Sequence, residues 1–141
     1  KEINISNADF LRNYFKTVKM CNDSEDGLKE CFADEYKNLN GKSIRLRNFA
    51  HGDCAVLASG AALCIYGNGW PYINVDVNGK QGPNIYGRDL FNFIVDEHAT
   101  IQSGDYWLRE EELRTTCSSA TEGQYGSCFG RILNDGWKMD Y

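Results

Sequence analysis

Proline is nearly missing: the 141 residues hold two, too few for a Pro-rich linker. Histidine is as scarce, at two. Positive charge is in deficit, with 15 Lys and Arg against 20 Asp and Glu and a net charge of -5. Such a chain is a poor general binder of phosphate backbones, so no nucleic-acid partner is expected. Long apolar runs are lacking too. The longest, 55–66, is interrupted by Ser59 and Gly60 and is too short to span a bilayer. The sequence contains no G-x-S-x-G elbow, no P-loop and no H-E-x-x-H. No two cysteines form a C-x-x-C pair, which disfavours a zinc site. No signal peptide is visible and the chain starts at Lys1 rather than Met, so the reading expects a mature or trimmed fragment.

What is present is a foldable, cysteine-rich composition. Apolar residues make up 42% and aromatics 13%, which argues against wholesale disorder. The length suits one domain with its own core, taken here as 1–141. Six cysteines, an even number in a small domain, point to three disulfides and an oxidising compartment. Six cysteines allow 15 connectivities. Short, nearly equal spacings within successive pairs select Cys21–Cys31, Cys54–Cys64 and Cys117–Cys128. The middle pair fits a hairpin with loop Ala58-Ser59-Gly60, where Gly60 takes the left-handed position and the two cysteines sit opposite each other. The same hairpin test accommodates Cys117–Cys128 around Glu122-Gly123. Each short loop is worth roughly 2–3 kcal/mol through restriction of the unfolded chain.

Periodicity predicts helices first and strands after. Phe10, Leu11, Tyr14, Phe15 and Val18 form one apolar stripe, giving a helix over 6–20 that should lie on the sheet, with Ser6 and Asp9 resembling a capping box. Leu28, Cys31, Phe32, Tyr36 and Leu39 suggest a second, shorter helix over 27–39 that stops at Gly41. Sheet and loops then fill 42–141. Ile44 and Leu46 alternate with arginines, and Ile73, Val75 and Val77 alternate with Asn74, Asp76 and Asn78 as a half-buried strand. Strands are expected at 90–95, 128–133 and 137–141, the last two joined by an Asn134-Asp135-Gly136 turn, and a helical turn at 108–116. The fold class is α+β: an N-terminal helix packed on an antiparallel sheet, with three disulfides.

Candidate chemistry is sparse. His51 and His98 could serve a small secreted hydrolase, but both fall in predicted turns, where exposed loop histidines are the plainer reading. The sharpest feature is the Gly-rich stretch 76–89. Side-chain oxygens of Asp76, Asn78, Asn84 and Asp89 could surround Ca²⁺, which takes six to eight oxygen ligands. The competing reading has these side chains bonding their own backbone in turns, and with only two carboxylates it is the favoured one. No other cofactor is expected.

The run VDVNGKQGPNIYGRDLFNFIV resembles a tract of the bacterial type IV pilin-like family, the minor pilins and type II secretion pseudopilins. The ending CFGRILNDGWKMDY resembles the C-terminal hairpin of the same family, and a disulfide closing a C-terminal loop there matches Cys117–Cys128. The resemblance covers roughly 44–141 in order, plus the leading helix. It implies a non-enzymatic headgroup whose partners are other pilin or pseudopilin subunits. It also implies a hydrophobic helix ahead of these residues, anchoring the subunit in the inner membrane before assembly into a periplasmic or cell-surface filament. The rival expectation is a secreted, disulfide-rich binding or adhesin module, drawing on three tryptophans, eight tyrosines and seven phenylalanines.

Overall fold

The computed structural model describes residues 6–67, 69–119 and 126–141. In chain order the elements are helix α1 (Asn7–Tyr14), strand β1 (Thr17–Cys21), helix α2 (Glu25–Lys29), strands β2 (Tyr36–Lys37) and β3 (Ser43–Ile44), and a 3₁₀ turn (Leu46–Asn48). Strands β4 (Asp53–Leu57), β5 (Ala62–Tyr66), β6 (Tyr72–Asp76), β7 (Leu90–Val95) and β8 (Ile101–Ser103) follow, then helices α3 (Glu110–Ser119) and α4 (Ser127–Asn134). Six strands form one antiparallel sheet in the order β1-β4-β5-β6-β7-β8, while β2 and β3 pair separately. The α+β class with an antiparallel sheet and three disulfides is therefore observed.

Register assigns the two faces. Ala62, Asp76 and Leu90 share one cross-strand row, and Cys64, Asn74 and Asn92 share the next. This face is covered by Leu28, Phe32, Tyr36 and Phe49, all at most 1% exposed. The opposite face carries Ala55, Leu63, Ile65, Ile73 and Val75, and is closed by Leu11 of α1. On that face α4 also packs against β7 and β8, with the Phe129 ring against Phe91 and Phe93.

Several sequence expectations are corrected. The first helix ends at Tyr14. Phe15 is already extended, and Thr17–Cys21 pairs with β4 as an edge strand. Thr17 and Val18 are β-branched and lose rotamer freedom in a helix, so ladder hydrogen bonds win. Only Leu11 of the expected stripe is buried; Tyr14 and Val18 are 65% and 67% exposed. Helix α2 is five residues long, and Tyr36 leaves it to start β2. Leu46 opens the 3₁₀ turn, not a strand. In β6 the polar residues are the buried ones, Asn74 at 1% and Asp76 at 0%, while Val77 is 53% exposed.

At the C-terminal end, 127–134 is a helix and 137–141 is not a strand. Asn134-Asp135-Gly136 caps α4 instead of turning a hairpin. Gly136 has φ +70, its N–H reaches Leu133 O at 3.2 Å, and the Trp137 N–H reaches Ile132 O at 2.8 Å. That is the Schellman arrangement, in which a left-handed glycine satisfies the last carbonyls. The same Gly signal serves either motif, and the helical period of Cys128, Phe129, Ile132 and Leu133 decides between them.

All three predicted disulfides are present, with separations of 10, 10 and 11 residues. Cys54 and Cys64 are directly cross-strand, and Gly60 closes the loop with φ +92. Cys117–Cys128 joins two helices, α3 and α4, rather than two strands. The expected turn at Glu122-Gly123 lies outside the described residues.

Leu11→Ala should destabilise the chain by about 2–5 kcal/mol, the usual cost of emptying a buried leucine site. Val18→Ala should stay within about 0.5 kcal/mol, as for a surface position. Urea unfolding of the two variants checks this ordering.

Candidate functional site

The β6–β7 hairpin positions the stretch singled out by sequence. Asp76 ends β6 and pairs with Leu90, the first residue of β7, and the Val77 N–H meets Asp89 O at 2.9 Å. The two carboxylates therefore stand at the two feet of one loop. Both are buried, Asp76 at 0% and Asp89 at 2% exposed. Asp76 Oδ2 accepts the Tyr36 hydroxyl at 2.5 Å and Oδ1 accepts the Asn78 N–H at 3.2 Å. Asp89 accepts the N–H groups of Asn84 and Ile85, both at 2.7 Å.

The amides of the loop are oriented by their donors. Asn78 Nδ2 donates to Gly82 O at 2.9 Å and Asn84 Nδ2 to Lys80 O at 3.4 Å. Their Oδ1 atoms are buried with no hydrogen-bond partner. An acceptor left that way ordinarily costs about 1–3 kcal/mol. Asn84 also holds φ +57, the left-handed region that asparagine tolerates better than most residues. Sequence thus brings Asp76, Asn78, Asn84 and Asp89 to one loop, as expected. It does not reveal Tyr36, the buried partner of Asp76, because that tyrosine reads as one more apolar helix position.

Burial pushes the Asp76 carboxyl up to about 6; the Tyr36 hydroxyl opposes the rise, and the neighbouring Asp89 adds to it. Burial likewise raises the Tyr36 hydroxyl above its ordinary value, reinforced by its bond to Asp76. Burial also raises Asp105, whose Oδ2 accepts the Gly126 N–H at 3.1 Å and the Ser127 hydroxyl at 2.5 Å at the start of α4.

The C-terminal segment docks on the same hairpin. The Tyr141 hydroxyl donates to Gly87 O at 2.8 Å, and the Arg88 and Arg131 guanidiniums lie 5.3 and 4.6 Å from its ring centroid. Gly87 has φ +89, and an added Cβ would stand 2.7 Å from Cys128 Sγ. A concavity of about 260 Å³ is lined by Tyr66, Tyr72, Asn74, Asn92, Asp105 and Trp107. Trp107 at its rim is 55% exposed, and Tyr66 stacks on Tyr72 at 5.2 Å.

The histidines do not converge. The His51 ring lies 3.9 Å from the Tyr66 ring, while His98 sits in the β7–β8 turn against Glu97 and Asp96. They share no contact. Among the described residues no group of three or more His, Cys, Asp or Glu side chains could hold a metal, so any ion at the loop needs its amide oxygens. Among the same residues no helix is long and apolar enough to cross a membrane. The three disulfides indicate an oxidising, extracytoplasmic environment. No family model, curated protein or solved structure matches the chain.

The sign of the Asp76 shift sets a pH dependence. Its folded value of about 6 exceeds the unfolded value of about 3.9, so its contribution favours folding below about pH 4 and is lost as pH rises through 6. The Tyr36 hydroxyl favours the charged form and offsets that loss. Tyr36→Phe, measured by urea unfolding in metal-free buffer, should therefore cost more at pH 8, about 1.5–3 kcal/mol, than at pH 4. An equal cost at both would show that the hydroxyl does not support the carboxylate.

Proposed function

We propose that the chain is the extracytoplasmic headgroup of a type IV pilus or type II secretion pseudopilus subunit, a structural rather than enzymatic role. One observation carries the reading. The two stretches that resemble the family, 75–95 and 128–141, are far apart in sequence yet form one joined substructure. The first makes β6, the loop and β7; the second makes α4 and the segment ending at Tyr141. They meet through Tyr141 and Gly87, through Arg88 and the Tyr141 ring, and through Phe129 against Phe91 and Phe93. The second stretch, read as the family's C-terminal hairpin, is a helix here, so the support lies in the packing of the two stretches and not in a shared hairpin. Disulfide bonding fits a surface exposed to an oxidising medium.

In this reading a hydrophobic helix preceding these residues holds the subunit in the inner membrane and then bundles with its neighbours in the filament core. Head-to-tail contacts repeated by one rotation give an open helical polymer. The aromatic-lined concavity at Tyr66, Tyr72 and Trp107 supports the second reading, a secreted binding or adhesin module.

Immunogold electron microscopy of the native source, with antibodies raised against the 141-residue chain, tests the proposal. Labelled thin filaments, or a labelled fraction that sediments after shearing from the cells, are expected. Label confined to a soluble monomer in the medium would favour the secreted module.

A further inference from the structure

On the sheet face that Phe49 covers, Asn74 donates to the Phe49 carbonyl and accepts the Asn92 amide, and the next cross-strand row is Tyr66 with Tyr72. Both tyrosines are only partly buried. Together with Asp105 and Trp107 they bound the concavity of about 260 Å³. Its polar groups are fixed in place. Asn74, Asn92 and Asp105 are all buried, the Tyr66 hydroxyl lies beside the Asn74 and Asn92 amides, and Asp105 is held by the Gly126 N–H and the Ser127 hydroxyl. Its apolar groups are rings. Tyr66 and Tyr72 stack within 8° of parallel, and the exposed Trp107 meets the exposed Tyr106 edge-on at 5.3 Å. Tyr106 in turn meets Trp70 at 5.3 Å, so the aromatic surface continues past the concavity. Exposed rings gathered in one patch mark an interaction site, whereas singly scattered ones do not.

We propose that this concavity binds a neutral hexose ring of a glycan. Charge selects the class. No Lys or Arg lines the concavity among the described residues, and none of them forms an ion pair with Asp105. Sulfated and uronic sugars are therefore disfavoured, as is single-stranded nucleic acid, which needs cations beside its aromatic platforms. Size selects one ring, since pockets for drug-sized ligands begin at about 300 Å³. A pyranose presents C–H groups on a ring face, which pack on the electron-rich face of an indole, and hydroxyls at its edge that donate as well as accept. Trp107 offers the first contact, and the Tyr66 hydroxyl and the Asp105 carboxylate offer the second. A proline-rich strand also docks on aromatic grooves, but its backbone brings carbonyl acceptors and few donors for a carboxylate. Trp70 and Tyr106 give neighbouring rings of the same glycan a place to stack. The site belongs to the domain and not to its assembly. It holds for a filament headgroup and for a secreted module alike, and its failure would leave the filament reading untouched.

The test is saturation-transfer NMR and tryptophan fluorescence titration of the oxidised chain. The probes are cellotetraose, maltotetraose, mannotetraose and galactotetraose, with a hyaluronan tetrasaccharide and decaproline for comparison. Saturable binding of at least one neutral probe in the millimolar range is expected, with hyaluronan weaker by about tenfold or more. Trp107→Ala removes an exposed ring and should keep the urea midpoint while weakening that binding by about tenfold or more, read by NMR. Trp137→Ala removes an exposed tryptophan outside the concavity and should leave binding unchanged. The proposal is overturned if no neutral probe binds, if Trp107→Ala binds as the wild type does, or if hyaluronan matches the neutral sugars. Decaproline binding more tightly than every sugar would also overturn it and assign the concavity to a peptide.

Discussion

A carboxylate buried at the end of an interior strand must be given donors, and Asp76 receives one from a residue 40 positions earlier, the Tyr36 hydroxyl. That bond ties the covering layer to the sheet. The same hydroxyl accepts the Ala33 N–H, and the Tyr36 ring meets Phe49 edge-on at 4.8 Å. Phe49 in turn offers its carbonyl to Asn74, which accepts the Asn92 amide through its own oxygen. Polar residues from β6 and β7 and irregular backbone from 33–49 thus form one satisfied network inside an apolar layer. In such surroundings each bond is stronger than in water, and losing one strands its partner.

Much of the sheet was legible because its strands are short, rich in apolar and β-branched residues, and joined by loops with recognisable glycines. Cys54, Cys64 and Gly60 specify a register that leaves little freedom, and Leu90–Val95 reads as a strand from its aromatic and β-branched content. The helices were less legible. Phe10 and Tyr14 keep their helical spacing within α1, but edge pairing with β4 claims Thr17–Cys21 and takes Val18 out of the stripe. In 127–134 the helical period and the strand-like apolar content coexist, and the NDG signal was assigned to the wrong motif.

The face of β6 was inverted for a different reason. Alternation reveals that two faces differ, not which one is covered. Asn74 and Asp76 look like the solvent side until Tyr36, Phe49 and Asn92 are known to meet them, and those partners are distant in sequence. For the candidate site the grouping of Asp76, Asn78, Asn84 and Asp89 on one loop was legible, and the burial of the two carboxylates was not. Burial is what distinguishes a hydrated turn from a place where two amide oxygens lack partners.

The three disulfides are consecutive along the chain, with no bridge enclosing or crossing another. A polypeptide threaded N-terminus first into an oxidising compartment can close each bridge before the next pair emerges. Every cysteine then meets its correct mate as its nearest unpaired neighbour. Oxidation in order of arrival then yields the native connectivity without reshuffling.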